Sequence, residues 1–211
     1  MFITLEGVEG SGKSTLAKGL AERLQARGRE TLLTREPGGT DLGRQIRSML
    51  LRPDSPVNAQ AELFLFLADR AQHVHEVILP ALSAGTIVLC DRYVDSTLIY
   101  QGLGRGFAQA QLRELCDLAT GALWPDLTFV LDLDIRLGLT RAAARHQMDN
   151  TLATESRFEA ESLHFHEAVR QGFKHCALEE PQRVVLLDAS LPPHDVLEAA
   201  WNALTERGLA Q

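Results

Sequence analysis

The feature that most constrains this chain is a glycine-rich segment, Gly7–Ser14, with the sequence GVEGSGKS. It fits the pattern Gly-x-x-x-x-Gly-Lys-Ser/Thr, follows a short apolar run that predicts a strand, and opens a stretch with helical periodicity. Glycines let the backbone turn so that its N–H groups converge on phosphate oxygens, and the helix N-terminus adds partial positive charge. The segment therefore predicts a nucleoside triphosphate site on an α/β fold.

The side chains of this phosphate loop have separate expected tasks. Lys13 can reach the outer phosphates, and the Ser14 hydroxyl can ligate Mg²⁺. Glu9 stands out because a carboxylate inside an anion-binding loop is unfavourable unless a donor or a metal compensates it. The residues expected to contact the triphosphate are Gly7, Val8, Glu9, Gly10, Ser11, Gly12, Lys13, Ser14 and Thr15.

Short apolar runs alternate with longer helical periods along the chain, which is typical of a parallel α/β sheet. The runs that predict strands are Phe2–Leu5, Thr31–Thr34, Thr86–Cys90, Leu127–Leu133 and Val184–Leu187. The main helical stretches are Lys13–Arg27, a helix capped by Asp41 that ends near Leu51, Ala59–Ala84, and about His194–Arg207.

Composition and charge exclude several classes of protein. With 211 residues, the chain has the length of one domain, or of one domain with an insertion. Its net charge of −7 argues against a general nucleic-acid binder, because phosphate backbones attract basic faces. The longest uncharged run, Val77–Cys90, is too short to span a membrane, and the N-terminus lacks the basic region of a signal peptide. We therefore expect a cytoplasmic protein that binds neither a nucleic-acid polymer nor a membrane.

The residues that most often bind metals give no metal signature here. Three cysteines, Cys90, Cys116 and Cys176, are far apart and odd in number, which indicates reduced, buried thiols. Seven histidines are expected to be solvated, and their spacing suggests no metal site; they are His73, His75, His146, His164, His166, His175 and His194.

The residues after the central apolar run narrow the class of phosphate-loop protein. A GTPase would carry an Asn-Lys-x-Asp motif, and the sequence has none. In many motor ATPases this strand ends in Asp-Glu, where the Glu polarises water, whereas here Asp91 is followed by Arg92. An arginine supplies positive charge to a transferring phosphoryl group and no base for water, so the pair favours transfer to an acceptor over hydrolysis.

Six segments, spread in order along nearly the whole chain, match a known pattern. They are Leu5–Thr15, Thr34–Thr40, Ala68–Gln72, Asp91–Tyr93 with Ser96 and Tyr100, Gln101–Gly106, and Val185–Ser190. Together they resemble the bacterial thymidylate kinase family, and the REPGGT and Asp-Arg-Tyr motifs are its specific parts. The resemblance implies transfer of the γ-phosphate of ATP to dTMP, giving dTDP and ADP for dTTP biosynthesis, with Mg²⁺. It also implies a homodimer with a P-loop NTPase-type three-layer fold, in which a five-stranded parallel sheet is flanked by helices.

The same resemblance assigns roles in recognising the base and sugar of dTMP. Phe66 would stack on the thymine ring, Arg70 would donate to a thymine carbonyl oxygen, and Thr97 would hydrogen-bond the base edge. Tyr100 would lie against the sugar where a ribose 2′-hydroxyl would project, which disfavours ribonucleotides. Glu9 would hold the sugar 3′-hydroxyl.

Further roles concern the phosphates, the metal and adenine. Arg35 and Arg92 would clamp the monophosphate with their forked guanidinium groups, and Asp91 would help Ser14 place Mg²⁺ through water. The remaining dTMP-site residues are Pro37, Ser96 and Gln101. The adenine site would be lined by Ala189 and Ser190. The groups expected to act in catalysis are Lys13, Arg92, Arg145, Glu9 and Asp91.

A lid at about residues 141–158 is expected within a single kinase domain that spans residues 1–211. Its central part, His146–Ser156, has little apolar period and predicts a loop, either a plain solvated connection or a cover over the site.

Lid arginines would supply charge that the phosphate loop lacks. Some members of the family carry a basic residue in that loop, where this chain has Gly10 and Ser11. Arg145 is the expected catalytic lid residue, whereas Arg141 would bind adenine or an ATP phosphate. Arg157 is the third candidate for assisting the transfer.

Two other functions remain compatible with these residues. One is a P-loop kinase for another nucleoside monophosphate or for a deoxynucleoside, although the Arg35 loop and Tyr100 argue against it. The other is a non-enzymatic module whose ATP-bound state switches a partner, which predicts ATP binding without a phosphate acceptor.

Overall fold

The computed structural model describes residues 1–149 and 156–209. Its strands are β1 (Phe2–Gly7), β2 (Thr31–Arg35), β3 (Ile87–Asp91), β4 (Leu127–Asp132) and β5 (Val184–Asp188). They form one sheet in the order β2-β3-β1-β4-β5, and every neighbouring pair is parallel. The five-stranded parallel sheet predicted from the sequence is confirmed, with strand ends within one or two residues of the predicted ones.

Helices cover both faces of the sheet. In chain order they are α1 (Lys13–Gln25), α2 (Asp41–Leu51), α3 (Ala59–His73), α4 (Leu79–Ser83), α5 (Val94–Thr97), α6 (Gln109–Thr120), α7 (Ile135–Asp149), α8 (Leu163–Glu179) and α9 (Pro193–Glu206). Two π-helical turns, Val74–Ile78 and Leu98–Leu103, connect α3 to α4 and extend α5.

Alternation along β1 divides the core into two apolar clusters. Ile3 and Leu5 pack in the larger cluster with the apolar face of α1, whereas Phe2 packs in a second cluster with residues of α3 and α6. Every residue of β1 is buried, as expected for the central strand of a sheet covered on both faces. The sheet thus presents the loop after β1 from a rigid, fully packed strand.

Three details of the predicted helices are wrong. Thr40, not Asp41, caps α2, because its side chain accepts a hydrogen bond from the backbone N–H of Gly43 at 2.9 Å. The predicted single helix over 59–84 is interrupted by the π-helical turn. The predicted loop begins too early, since α7 continues through residues 146–149; residues 150–155 of that loop lie outside the described part of the chain.

The histidines are not all solvated as expected. His73, His146 and His166 are buried, at 0%, 3% and 1% exposure, and each lies within reach of a glutamate. His73 and His146 each have a ring nitrogen 2.9 Å from a glutamate oxygen that can accept from it, whereas His166 Nδ1 lies 3.5 Å from Glu9 Oε2. Cys90, Cys116 and Cys176 are free thiols, and the first two are buried. Within residues 1–149 and 156–209, no helix combines the length and apolar character needed to cross a membrane.

Candidate active site

A cleft of about 860 Å³ opens at the edge of the sheet that is formed by the carboxyl ends of the strands. The carboxyl ends of parallel strands meet at one edge, and ligands of such sheets bind in the crevice outside it. Fifteen residues predicted from the sequence line the cleft: Glu9, Gly10, Lys13, Ser14, Arg35, Pro37, Phe66, Arg70, Asp91, Arg92, Ser96, Thr97, Tyr100, Gln101 and Arg145. The others, which the structure does not place among the lining residues, are Gly7, Val8, Ser11, Gly12, Thr15, Arg141, Ala189 and Ser190.

The phosphate loop has a backbone that requires glycine at Gly10. Its φ is +69°, and an added Cβ would lie 2.1 Å from the carbonyl oxygen of Gly138 in α7. A side chain at this position would therefore be strained by its backbone conformation and would also collide with α7. This close approach fixes the first turns of α7 against the loop.

Lys13 folds back over the loop that carries it. Its Nζ donates to the carbonyl oxygens of Gly7 at 3.1 Å and Val8 at 2.9 Å. Burial lowers the pKa of Lys13 to about 8, although Asp91 and Glu9 act in the opposite direction. Lys13 remains protonated at neutral pH, and the carbonyls hold its ammonium group beside the loop.

Ser14 and Asp91 bring two oxygen ligands together. Ser14 Oγ donates to Asp91 Oδ2 at 2.7 Å, which joins the start of α1 to the end of β3. Hard divalent cations such as Mg²⁺ prefer oxygen ligands and keep several waters. The two residues therefore fit the metal that the sequence assigns to them.

Arg92 has a left-handed backbone, with φ of 71°, which is uncommon for a residue other than glycine. Its side chain is held on several sides: Nη2 donates to Glu9 Oε1 at 3.0 Å and Nη1 donates to Ser96 Oγ at 3.2 Å. The guanidinium also lies 4.9 Å from the centre of the Tyr100 ring. The strained backbone thus directs a fixed cation toward the phosphate loop.

Glu9 has the compensating donors that its place in the loop demands. Oε1 accepts from Arg92 and from Tyr100 Oη, the latter at 2.7 Å, and Oε2 lies 3.5 Å from His166 Nδ1. Burial alone would raise the pKa of Glu9, but His166, Arg92, Lys13 and Tyr100 outweigh it and hold the pKa well below its usual range. Glu9 is therefore an ionised acceptor at neutral pH.

Arg70 is almost completely buried, with 2% exposure, yet it lines the cleft. Its Nε donates to Glu36 Oε2 at 2.7 Å, Nη1 donates to Thr97 Oγ1 at 2.7 Å, and Nη2 donates to the carbonyl oxygen of Tyr93 at 2.9 Å. Half-buried Phe66 lines the cleft one helical turn earlier on α3. The guanidinium is therefore rigid, and Thr97 is oriented by it.

Glu36, His73 and Cys90 form a buried group beneath this pocket, with candidate ligand atoms within 4.8 Å of one another. Both ring nitrogens of His73 are already in hydrogen-bonding contact, with Glu36 Oε1 at 2.9 Å and with Thr34 Oγ1 at 2.6 Å. Burial raises the pKa of the Cys90 thiol well above its usual range. These contacts make the group a hydrogen-bond network that supports Arg70, since a metal would need the same nitrogens and a thiolate.

The three arginines that the sequence assigns to a lid have different surroundings. Arg145 lines the cleft with 53% of its side chain exposed, and its Nη2 lies 3.7 Å from Glu159 Oε1. Arg141 Nη1 donates to the carbonyl oxygen of Ala189 at 3.3 Å, at the end of β5. Arg157 is directed away from the phosphate loop, and its Nη1 lies 2.8 Å from Glu62 Oε2.

The sequence did not single out four residues that shape the site: Glu6, Glu36, Phe158 and Glu159. Glu6 is buried in β1 and accepts from the backbone N–H of Tyr93 at 2.7 Å and from Ser96 Oγ at 2.6 Å. The Phe158 ring lines the cleft, with its centre 6.2 Å from that of Phe66 and 5.8 Å from that of Tyr100. A polar residue inside an otherwise apolar strand was a usable signal for Glu6; Phe158 had none, because its partners are distant in the chain.

Comparisons with known proteins agree with these features. A family model described as thymidylate kinase matches residues 5–200. A thymidylate kinase of Desulfovibrio desulfuricans is 56% identical over 97% of this chain and 94% of its own length. One of Solidesulfovibrio magneticus is 51% identical, covering 97% of this chain and 98% of its own. A crystal structure of thymidylate kinase from Ehrlichia chaffeensis superposes with a TM-score of 0.76 at 32% identity, over 97% of this chain and 98% of that one.

Proposed function

This chain belongs to the thymidylate kinase family, and from that premise we propose that its cleft transfers the γ-phosphoryl group of ATP to dTMP, giving dTDP and ADP. The observation that carries the proposal is the contact between the donor and acceptor sides. Arg92, at the acceptor side, donates to Glu9 of the phosphate loop at 3.0 Å. Phosphoryl transfer requires the two substrates to be aligned and the developing charge to be stabilised, and the closeness of Arg92 to the phosphate loop supports both tasks.

On the donor side, the phosphate loop would bind the triphosphate through its backbone N–H groups, from Gly7 to Thr15. Lys13 would turn from the carbonyls of Gly7 and Val8 to the outer phosphate oxygens, where its charge is stabilised by a stronger partner. The adenine would lie near Ala189 and Ser190, and the Arg141 contact with Ala189 supports a role for Arg141 on this side.

On the acceptor side, Arg35 and Arg92 would clamp the monophosphate, with Pro37 and Ser96 completing the wall. Both arginines line the cleft. A forked guanidinium group can donate two hydrogen bonds to a phosphate at the same time. Arg92 would exchange Glu9 for the acceptor phosphate. Glu9, still bonded to Tyr100, would then accept from the sugar 3′-hydroxyl.

The base would lie between Phe66 and the polar pair Arg70 and Thr97, with Gln101 beside them. Arg70 has donors only, and Glu36 fixes its orientation, so a thymine carbonyl oxygen is the base group it fits. The Tyr100 ring, fixed through its bond to Glu9, would occupy the space that a ribose 2′-hydroxyl needs.

Ser14 and Asp91 would hold Mg²⁺, directly and through water respectively. When bound, the ion would neutralise charge on the phosphate oxygens. Asp91 stands beside Arg92, so the same short turn after β3 would hold the metal and the acceptor phosphate.

The proposal includes a single kinase domain over residues 1–211 with a lid at about 141–158. Arg145, which lines the cleft from α7, would bring positive charge to the transferring group. Closure of the lid would exclude water, which would otherwise accept the phosphoryl group.

We further propose that the protein acts as a homodimer in the cytoplasm. Two exposed apolar side chains support a second copy as partner: Phe64 on α3 is 61% exposed and Leu118 on α6 is 82% exposed. Sedimentation velocity tests the assembly at micromolar concentration, where the wild type should sediment as a dimer and Phe64→Glu as a monomer. A wild type that is already a monomer, and that sediments as Phe64→Glu does, would contradict the proposed dimer.

A coupled assay with ATP and each nucleoside monophosphate at equal concentration tests the activity. Turnover should be fastest with dTMP, should fall with the 5-methyl ribonucleotide, and should recover for that ribonucleotide in Tyr100→Ala. Preference for uridine or cytidine monophosphate would instead indicate the kinase for another acceptor. Binding of ATP without phosphorylation of any acceptor would indicate the switch module.

A further inference from the structure

Glu62, a buried carboxylate outside the reacting centre, joins three separate parts of the chain. It lies in the first turn of α3, with a fully buried side chain. Oε1 accepts from Gln101 Nε2 at 3.0 Å and from Arg105 Nε at 3.1 Å. Oε2 accepts from Arg105 Nη2 at 3.2 Å and lies 2.8 Å from Arg157 Nη1. A carboxylate has about four acceptor positions, so these contacts satisfy it fully.

Arg157 is held at this point by the backbone as well. Its Nη1 donates to the carbonyl oxygen of Leu50 and its Nη2 to that of Val57, each at 3.2 Å. Its own backbone N–H donates to the carbonyl oxygen of Leu51 at 3.1 Å. Arg157 thus ties the chain beyond the lid to the end of α2 and to the segment before α3, and its donors are directed there rather than to the phosphates.

The return segment, residues 157–161, is tied a second time at its far end. Glu161 Oε1 lies 2.6 Å from Arg105 Nη2, and Arg105 itself contacts Glu62. The segment is therefore connected to Glu62 directly through Arg157 and indirectly through Arg105. Two carboxylates and two guanidinium groups balance in charge, which favours their burial as a group.

Between these two ties, Phe158 and Glu159 line the cleft. The Phe158 ring contacts those of Phe66 and Tyr100, and the guanidinium of Arg157 lies 5.5 Å from its centre. The return segment is thus one wall of the acceptor pocket. Gln101, on the other side of Glu62, lines the same pocket.

We propose that Glu62 is a positioning residue for the acceptor nucleotide, which fixes Gln101 and the return segment relative to each other without touching the substrate. The inference rests on the proposed function of the cleft. Loss of the Glu62 charge leaves the two like charges of Arg105 and Arg157 with only Glu161, which contacts Arg105, to balance them, so the return segment moves from the pocket. The phosphate loop does not contact this group of charges, and the ATP site keeps its geometry.

Glu62→Gln, Arg157→Gln and the double variant test the proposal in steady-state assays that vary one substrate at saturation of the other. We expect KM for dTMP to rise at least about tenfold in each single variant while KM for ATP stays within about twofold. The double variant should lose less than the product of the two single effects, because it removes both members of the pair. Arg113→Gln, which breaks an exposed ion pair with Glu180, is the matched control and should leave both KM values unchanged.

If Glu62→Gln does not fold, Arg157→Gln tests the proposal alone. Arg157 lies at the edge of this group of charges, with 14% of its side chain exposed, so its replacement disturbs the core less. A folded Arg157→Gln protein with a lowered Tm but unchanged KM for dTMP would overturn the proposal, because the cluster would then be structural only. An equal rise in KM for ATP would overturn it too. A wild-type protein that does not phosphorylate dTMP would instead refute the proposed function, so the two failures are distinguishable.

Discussion

Arg92 and Glu9 form an ion pair across the cleft, with Nη2 and Oε1 separated by 3.0 Å. The pair joins the turn after β3 to the loop after β1, so the proposed acceptor clamp and the phosphate loop are held at a fixed distance from each other. Glu9 also accepts from Tyr100, and its carboxylate therefore keeps a donor when Arg92 turns to a phosphate. Under the proposed function, Arg92 would reach the acceptor phosphate from this ion pair by a movement of its side chain alone.

Replacement of Arg92 by alanine should reduce kcat/KM for dTMP. The expected loss of transition-state stabilisation is about 2–4 kcal/mol, which is the loss that follows removal of a single charged donor. The measurement is coupled turnover of dTMP, with circular dichroism to verify folding. Arg113→Ala is the control because that arginine is exposed on α6. A loss in turnover below about tenfold would contradict a role for Arg92 at the transferring group.

Alanine variants of two arginines of the proposed lid, Arg141 and Arg145, should separate their tasks. Arg145→Ala should lower kcat by more than about tenfold with little change in either KM, because its charge would act on the transferring group alone. Arg141→Ala should raise KM for ATP instead, since Arg141 contacts Ala189 at the proposed adenine site. The opposite pattern, with the kcat effect at Arg141, would exchange the two roles.

Removal of metal by a chelator should abolish turnover, and added Mg²⁺ should restore it. Asp91→Asn should raise the Mg²⁺ concentration needed for half-maximal rate, because an amide binds the cation and its waters less well than a carboxylate. The same variant keeps an oxygen to accept from Ser14, whose Oγ lies 2.7 Å from Asp91 Oδ2. Identical Mg²⁺ dependence in variant and wild type would remove Asp91 from the metal site.

The pH dependence of stability should report on Glu6. Burial, and secondarily Asp95, raise the pKa of Glu6 from 4.5 to about 7. Between pH 4.5 and about pH 7, Glu6 is protonated in the folded protein but ionised in the unfolded chain. The stability that the bound proton gives the folded protein is therefore lost as the pH rises through this range.

Glu6→Gln remains neutral at every pH and serves as the reference. The free energy of unfolding of the wild type, minus that of the variant, should decrease from pH 4.5 to pH 7 by at most about 3 kcal/mol, at about 1.4 kcal/mol per pKa unit. Urea denaturation at several pH values measures it. A difference that stays constant over this range would show that Glu6 is ionised throughout.

The strands and the phosphate loop could be predicted because their signals are local. The run at residues 86–90 is apolar without interruption, and it forms the buried strand β3. Gly7–Ser14 connects a strand to a helix, and the local sequence predicts both of these elements. Such patterns depend on neighbours within a few positions, so one sequence contains them.

Buried charges could not be predicted in this way. His73, at the end of α3, is buried because Glu36, which follows β2, accepts from it, and Arg70 is buried against the same carboxylate. Glu62 is similar, since Arg105 and Arg157 reach it from elsewhere in the chain. Periodicity assigns a charged residue to the solvent, whereas its burial depends on a partner that only the fold supplies.

The register of β1 has a consequence for how this protein comes into being. Phe2 pairs with Val88, and Ile3 pairs with Leu127. Both neighbours of β1 in the sheet are therefore synthesised much later than β1 itself. Loops of this length close slowly, and parallel pairing between distant segments delays folding. During synthesis the nucleotide-binding loop, although it emerges first, lacks one of the two strands that flank β1 until more than half of the polypeptide has left the ribosome.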